Sequence, residues 1–152
     1  GKLSRGLGDV YKRQILNHYG IEKKAKSYYK VIVQDEKSRG IKVALSGGYD
    51  LKMIAADYGM LSKEVKDLGE TMRGKFLAVH KMMEKEIKAQ VSGAKTLPTL
   101  SSGPLVFAES GNLRFEMSGI GFHVTGRNAY ASDVLNAIEP VANRFGFRVV
   151  AL

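Results

Sequence analysis

Hydrophobic residues in the first half of the chain follow two different spacings. Residues 28–33 (YYKVIV) and 41–45 (IKVAL) are rich in β-branched and aromatic side chains, and the polar segment 34–40 separates them. This composition predicts two strands paired as an antiparallel hairpin. The serine and glycines of 46–48 are expected to end the hairpin, and Asp50 is expected to cap a helix that follows.

From Leu51 onward the apolar positions recur every three or four residues, which is the spacing of one face of a helix. Gly59 favours the end of a helix, and Ser62 favours the start of the next one. We therefore predict a short helix before Gly59 and a long helix towards Val91, either unbroken or interrupted near Gly69. The opposite face is mostly lysine, the pattern of a surface exposed to water (Lys63, Lys66, Lys81, Lys85 and Lys88).

A linker rich in serine, threonine and glycine at 92–103 separates the long helix from a second group of strands. Three short apolar segments follow at 105–109, 113–117 and 122–125, joined by turns that contain glycine. Tight turns between strands of this length predict an antiparallel meander.

The chain is predicted to close with a helix and a strand. Apolar residues keep helical spacing from Val134 to Phe145, and Pro140 inside this stretch predicts a kink or a restart. Segment 147–151 (FRVVA) is apolar on both faces, so we predict a strand in the centre of the sheet.

These elements together predict the α+β fold class. We expect a mixed, mainly antiparallel sheet built from two units, each a hairpin followed by a helix, with a long central helix. Residues 15–152 are expected to form one such domain.

The start of the chain is interpreted separately. Segment 4–14 (SRGLGDVYKRQ) resembles the in-frame translation of a transposon-end adaptor used to prepare sequencing libraries. The resemblance implies that residues 1–14 are not native and contribute nothing to the fold. Because the first methionine is Met53, we expect that the natural protein began upstream of Ile15 and that the sequence derives from a metagenomic assembly.

Composition narrows the class of protein. Hydrophobic residues make up 44% of the chain and charged residues 26%, which is ordinary for a folded globular protein. The formal charge of +9 falls to +6 without residues 1–14, a mildly basic value that is compatible with a polyanionic partner. The absence of cysteine excludes disulfides and thiolate metal sites and favours a reducing cytoplasm. No apolar segment approaches the ~20 residues that cross a bilayer, so no membrane partner is expected.

One segment resembles a known DNA-binding motif. Residues 54–68 (IAADYGMLSKEVKDL) are similar to the helix-turn-helix of the bacteriophage Cro and repressor families, with a small residue, a glycine and later apolar residues at matching positions. The resemblance implies that Ala55 lies where two helices touch and that Gly59 adopts the left-handed conformation of the turn. Two amphipathic helices that pack at a glycine give the same pattern, so a purely structural interpretation stays open.

The same resemblance implies that the second helix lies in the major groove of double-stranded DNA. Ser62, Lys63 and Lys66 are then the DNA-binding residues. Lysine suits phosphate or guanine, and serine suits a phosphate or a base edge.

A second resemblance overlaps the first strand group. Residues 41–50 (IKVALSGGYD) are similar to the pyrophosphate loop of the ATP-pyrophosphatase superfamily, in which a buried strand leads into Ser-Gly-Gly-X-Asp-Ser and then a helix. The resemblance implies that backbone amides at a helix N-terminus hold the phosphates of a nucleotide. The nucleotide-binding residues implied are Ser46, Gly47, Gly48 and Asp50. The alternative is a glycine-rich turn from a strand to a helix.

No constellation in the sequence indicates catalysis. His18, His80 and His123 are isolated, so each is expected to be a surface or packed histidine, and no catalytic residue, metal or cofactor is expected. The leading hypothesis is a non-enzymatic DNA-binding or regulatory protein of phage or bacterial type, located in the cytoplasm. Two alternatives stay open: a viral or bacterial structural or assembly protein that forms a homodimer through its methionine-rich long helix, and a nucleotide-binding enzyme of the pyrophosphate-loop type.

Overall fold

A computed structural model describes residues 26–52, 58–99, 105–109 and 112–152 of the protein. Along these residues, groups of strands are separated by single helices. In chain order they are β1 (Lys26–Glu36), β2 (Gly40–Lys52), α1 (Tyr58–Gln90), β3 (Lys95–Thr99), β4 (Leu105–Glu109), β5 (Asn112–Thr125), α2 (Ala131–Arg144) and β6 (Arg148–Ala151).

The strands form a mixed sheet with the order β3-β5-β2-β1-β6, and β4 pairs with β5 beside this path. Both β3 and β4 run antiparallel to β5, whereas β6 runs parallel to β1. In the parallel pair Lys30 lies beside Arg148, and in the β3–β5 pair Leu97 lies beside His123. The predicted α+β class with a mixed sheet is confirmed.

Two compact units divide these elements. One, called here the sheet–helix unit, comprises Tyr29–Ser46, Phe76–Ser102 and Ser118–Leu152. The other includes Gly47–Lys75 and Gly103–Met117, and therefore β4 and the first part of α1. The single domain expected over residues 15–152 stays a prediction.

The core of the sheet–helix unit lies on one face of its strands. Side chains alternate between the two faces of a strand, and in the central parts of β1 and β2 and at the end of β5 the buried side chains are two residues apart. The helices supply the opposing layer through residues spaced three or four apart, as their periodicity predicted. The buried set includes Val31, Val33, Ile41, Val43, Leu45, Phe122 and Val124 from the strands and Phe76, Val79, Met83, Ile87, Val134, Ile138 and Val141 from the helices.

Three aromatic rings join β1, α1 and the approach to β6. The ring centroids of Tyr29 and Phe76 are 6.0 Å apart, those of Tyr29 and Phe147 5.3 Å, and those of Phe76 and Phe147 5.4 Å. The rings are inclined to each other rather than stacked face to face, which is the favourable arrangement for aromatic pairs.

Strands β2 and β5 approach each other closely at two glycines. A Cβ on Gly121 would lie 2.1 Å from the carbonyl oxygen of Val43, and one on Gly40 would lie 2.2 Å from that of Val124. No side chain fits at either distance. Gly40 precedes Val43 in β2, whereas Val124, which lies against Gly40, follows Gly121 in β5. The two strands therefore run antiparallel.

Two predictions about the end of strand β2 are wrong. It continues from Gly40 to Lys52, so the glycines of 46–48 do not end it and Asp50 does not cap a helix. The pairing of β2 between β1 and β5 satisfies its backbone and outweighs the turn preference of glycine.

The predicted break between two helices at Gly59 is wrong. The helix is continuous from Tyr58 to Gln90, with Gly59 in its first turn, Ser62 inside it and no interruption near Gly69. A glycine inside a helix costs only about 1 kcal/mol relative to alanine, and the long apolar face of the helix offsets that cost. Residues 53–57, which contain the predicted first helix of the helix-turn-helix, lie outside the described residues.

The second half corrects four further predictions. The segments 113–117 and 122–125 are parts of one strand, β5, rather than two strands separated by a turn. The predicted linker contains strand β3. Helix α2 passes through Pro140 without a restart. Strand β6 lies at the end of the strand order, not in its centre, and its valines are half-buried.

Other predictions fall outside the described residues. These are the adaptor-like segment within 1–14, His18, and the turn at 110–111. Among the helices that the structure describes, none combines the length and the apolar composition needed to cross a bilayer.

Candidate functional site

The predicted DNA-binding residues all lie in one helix. Ser62, Lys63 and Lys66 follow one another near the start of α1, and no turn separates them from Tyr58. The turn that the helix-turn-helix resemblance implies at Gly59 is therefore absent at that position.

The predicted nucleotide-binding residues lie in a strand. Ser46, Gly47, Gly48 and Asp50 belong to β2, and the residues that follow them directly are extended rather than helical. The hydroxyl of Ser46 is buried and forms no hydrogen bond within the described part of the chain. A phosphate cradle made of amides at a helix N-terminus is therefore not formed by this segment.

A polar cluster lies between α1 and the sheet. The Nε2 atom of His80 is 2.9 Å from the carbonyl oxygen of Gly121, and its Nδ1 atom is 2.6 Å from a carboxylate oxygen of Glu84. The other carboxylate oxygen of Glu84 accepts a hydrogen bond from the hydroxyl of Thr96 in β3. The His80 ring also packs edge-on against Phe122, with centroids 4.8 Å apart. This cluster connects α1 to both β3 and β5.

Both ring nitrogens of His80 are in contact with other members of the cluster. A general base needs a nitrogen that is free to take a proton from a substrate. In His80 one nitrogen faces a backbone carbonyl, the other faces a carboxylate, and the residue is only 7% exposed. The prediction that His80 is a packed histidine is confirmed.

The second described histidine lies on the other face of the sheet. The Nε2 atom of His123 is 3.1 Å from a carboxylate oxygen of Glu36. Since β2 lies between β1 and β5, this contact crosses a whole strand.

We call the sheet surface opposite to α1 and α2 the open face. On β1 and β2 this face carries the residues that alternate with the buried ones. On β3 it carries Leu97, which is paired with His123, and on β6 it carries Arg148, which is paired with Lys30. Its side chains are mostly half-buried or exposed, in contrast to the helix-facing core. The α1 residues of the sheet–helix unit contact the other surface of the sheet, as His80 does at Phe122.

The open face is positively charged. Its four basic residues are Lys30, Lys42, Lys95 and Arg148, one on each of four strands. None of these side chains forms an ion pair with a described residue. The acidic residue that the sheet–helix unit places on this face is Glu36, whose carboxylate is already in contact with His123.

Sequence reasoning missed the open face and both histidine contacts. Because His80 and Glu84 are four residues apart on a helix, their contact could have been predicted from the sequence. Glu36 and His123 are 87 positions apart, and only the strand order brings them together.

Metal chemistry has no support in the described residues, among which no group of three or more histidine, aspartate or glutamate side chains is arranged to hold an ion. No protein-family model matches the chain, and no curated protein or solved structure is significantly similar to it.

Proposed function

We propose that the protein binds nucleic acid and has no enzymatic activity, and that the open face is a binding surface. The observation that carries the proposal is the set of four cations on this face that form no ion pair with a described residue. A surface with several cations that form no ion pair with a described residue attracts a chain of phosphates, because each contact releases condensed counterions from the nucleic acid. Backbone contacts of this kind position a protein without reading sequence.

The absence of an enzymatic role is part of the same proposal. His80 is fully engaged with Gly121 and Glu84, and His123 is in contact with Glu36. These contacts orient the rings and favour structural roles over proton transfer to a substrate.

The finer parts of the proposal come from the sequence. They are a regulatory protein of phage or bacterial type, located in the cytoplasm, with Ser62, Lys63 and Lys66 as additional contacts to double-stranded DNA. The two hairpin-plus-helix units and a long central helix are parts of the same interpretation. A homodimer formed through α1 by an assembly protein is the alternative that takes its place if nucleic acid does not bind.

The test compares two variants with the same decrease in charge. The face variant carries Lys30→Gln, Lys42→Gln and Lys95→Gln. The helix variant carries Lys81→Gln, Lys85→Gln and Lys88→Gln, three exposed lysines of α1. Binding of a labelled mixed-sequence oligonucleotide is measured by fluorescence anisotropy at several salt concentrations.

We expect the parent protein to bind at low salt and the face variant to bind much more weakly than the helix variant. For each phosphate that a variant no longer neutralises, the slope of log K against log salt should fall by roughly 0.7 with a single strand, or about 0.9 with a duplex. A parent that does not bind at low salt, or equal weakening in the two variants, contradicts the proposal. Thermal melting of both variants verifies that they are folded.

A further inference from the structure

We infer that the open face takes a single strand of nucleic acid, with a base stacked on Leu97 and His123. The inference rests on the proposed function and names the form of nucleic acid that this face recognises. It depends on three observations: an exposed leucine beside a histidine, the fixed position of the histidine ring, and the cations around them.

The first observation is an exposed leucine beside a histidine. Leu97 is a large apolar side chain on a strand and is 59% exposed. It lies directly beside His123 in the β3–β5 pair, so the two side chains project from the same face. Together they form an apolar and aromatic patch on which the flat surface of a base can rest.

The second observation is that the ring of His123 is held in place. Its side chain is 14% exposed, and its Nε2 atom lies 3.1 Å from Glu36. Glu36 therefore acts as a positioning residue for the ring. An oriented ring gives up less rotational freedom when a base stacks on it, which favours binding.

The third observation is the placement of the cations around this patch. Lys95 precedes Leu97 by two residues on β3 and lies on the same face. Lys42 belongs to β2, the strand next to that of His123. A base on the patch therefore has cations on both sides for its flanking phosphates, whereas an apolar partner would leave these lysines without a counter-charge.

The shape of the face favours a single strand over a duplex. Readout of a duplex groove requires a helix or a ribbon that projects into it, and the major groove is about 12 Å wide. The open face is formed by strands of the sheet–helix unit, which lie side by side in the sheet. A single strand exposes its bases and adapts its backbone to the surface of a sheet, as it does on other sheet platforms.

The experiment measures the binding of three probes: a single-stranded DNA, an RNA of the same sequence and the matching DNA duplex. The variants are Leu97→Ala and His123→Ala on the open face. The control is Leu77→Ala, which removes an exposed leucine from α1. His123→Phe keeps an aromatic surface and removes the contact with Glu36.

We expect Leu97→Ala and His123→Ala each to weaken single-strand binding by roughly five- to a hundredfold, the range for removal of one stacked base. Duplex binding by the same variants should change little, the Leu77→Ala control should match the parent, and His123→Phe should bind a single strand better than His123→Ala. Tight binding of DNA and of RNA single strands both support the inference.

The proposed function and the single-strand inference fail in different ways. If the parent binds none of the probes, the proposed function is wrong. If charge removal weakens binding but Leu97→Ala and His123→Ala bind a single strand like the parent, or weaken duplex binding equally, the proposed function stands and the single-strand inference is wrong.

Discussion

The Nε2 atom of His80 lies 2.9 Å from the carbonyl oxygen of Gly121, so a side chain of α1 is bonded to the backbone of β5. A carbonyl oxygen only accepts, so this nitrogen donates. The other ring nitrogen is bound to Glu84, and Glu84 in turn is bound to Thr96. Four residues from three elements thus fix where the helix lies on the sheet.

Replacement of His80 should therefore destabilise the fold. His80→Ala removes the hydrogen bond to Gly121, the contact with Glu84 and the packing against Phe122, and it leaves the Gly121 carbonyl without its partner. We expect the free energy of unfolding to fall by about 2–4 kcal/mol. Urea denaturation measures the change, and Lys81→Ala at the next, exposed position is the control, with an expected change within about 0.5 kcal/mol. A decrease similar to that of the control would show that the cluster does not stabilise the helix on the sheet.

The two strands that meet at Gly121 provide a second prediction. Gly121→Ala places a methyl group 2.1 Å from a backbone oxygen of Val43, so one strand must move. We expect stability to fall by about 1–3 kcal/mol, the usual cost of overpacking a core. Gly74→Ala is the matched control because its new methyl group meets nothing within 4 Å on α1. That change should raise stability by about 0.5–1 kcal/mol, since alanine favours a helix more than glycine does.

The elements with strong periodicity could be predicted from the sequence, and those defined by their neighbours could not. The spacing from Met72 to Ile87 and from Val134 to Phe145 correctly identified the buried faces of α1 and α2. Strand β3 was missed because it contains Pro98 and has no regular alternation of buried residues. Its place in the sheet depends on pairing with β5 rather than on its own composition.

The contacts of the candidate site also divide into one that residue spacing indicates and one that depends on the order of the strands. Glu84 lies one helical turn after His80, so the contact between these two residues could have been predicted from the sequence. The contact of Glu36 with His123 depends on the strand order β5-β2-β1, which no local pattern specifies. The helix-turn-helix resemblance implied a turn at Gly59, whereas the chain forms one helix from Tyr58 onward.

The aromatic cluster provides a third prediction. Phe147 is almost fully buried and lies against Tyr29 and Phe76. Phe147→Ala should cost about 3–5 kcal/mol, because it removes a large buried side chain and leaves a cavity. The neighbouring Arg148→Ala, at an exposed position, should cost little. Comparable denaturation midpoints for the two variants would contradict the assignment of Phe147 to the core.

The last prediction separates the two surfaces that have been proposed to contact nucleic acid. Lys63 and Lys66 lie near the start of α1, whereas Lys30, Lys42 and Lys95 lie on the strands of the open face. If α1 contacts double-stranded DNA, Lys63→Ala with Lys66→Ala should weaken duplex binding and lower the salt slope by roughly 0.9 for each phosphate that the removed lysines had neutralised.

Single-strand binding by this double variant should stay close to that of the parent, because the strands that carry the open face are unchanged. The variant with three lysines replaced on the open face should lose more single-strand binding than the double variant does. Anisotropy titrations of both variants with both probes therefore give a two-by-two comparison. If the double variant binds duplex as tightly as the parent does, the pattern at 54–68 reflects packing alone and Ser62, Lys63 and Lys66 are not DNA contacts. If its single-strand binding weakens as well, the two surfaces do not act independently, and the assignment of single-strand binding to the open face alone is wrong.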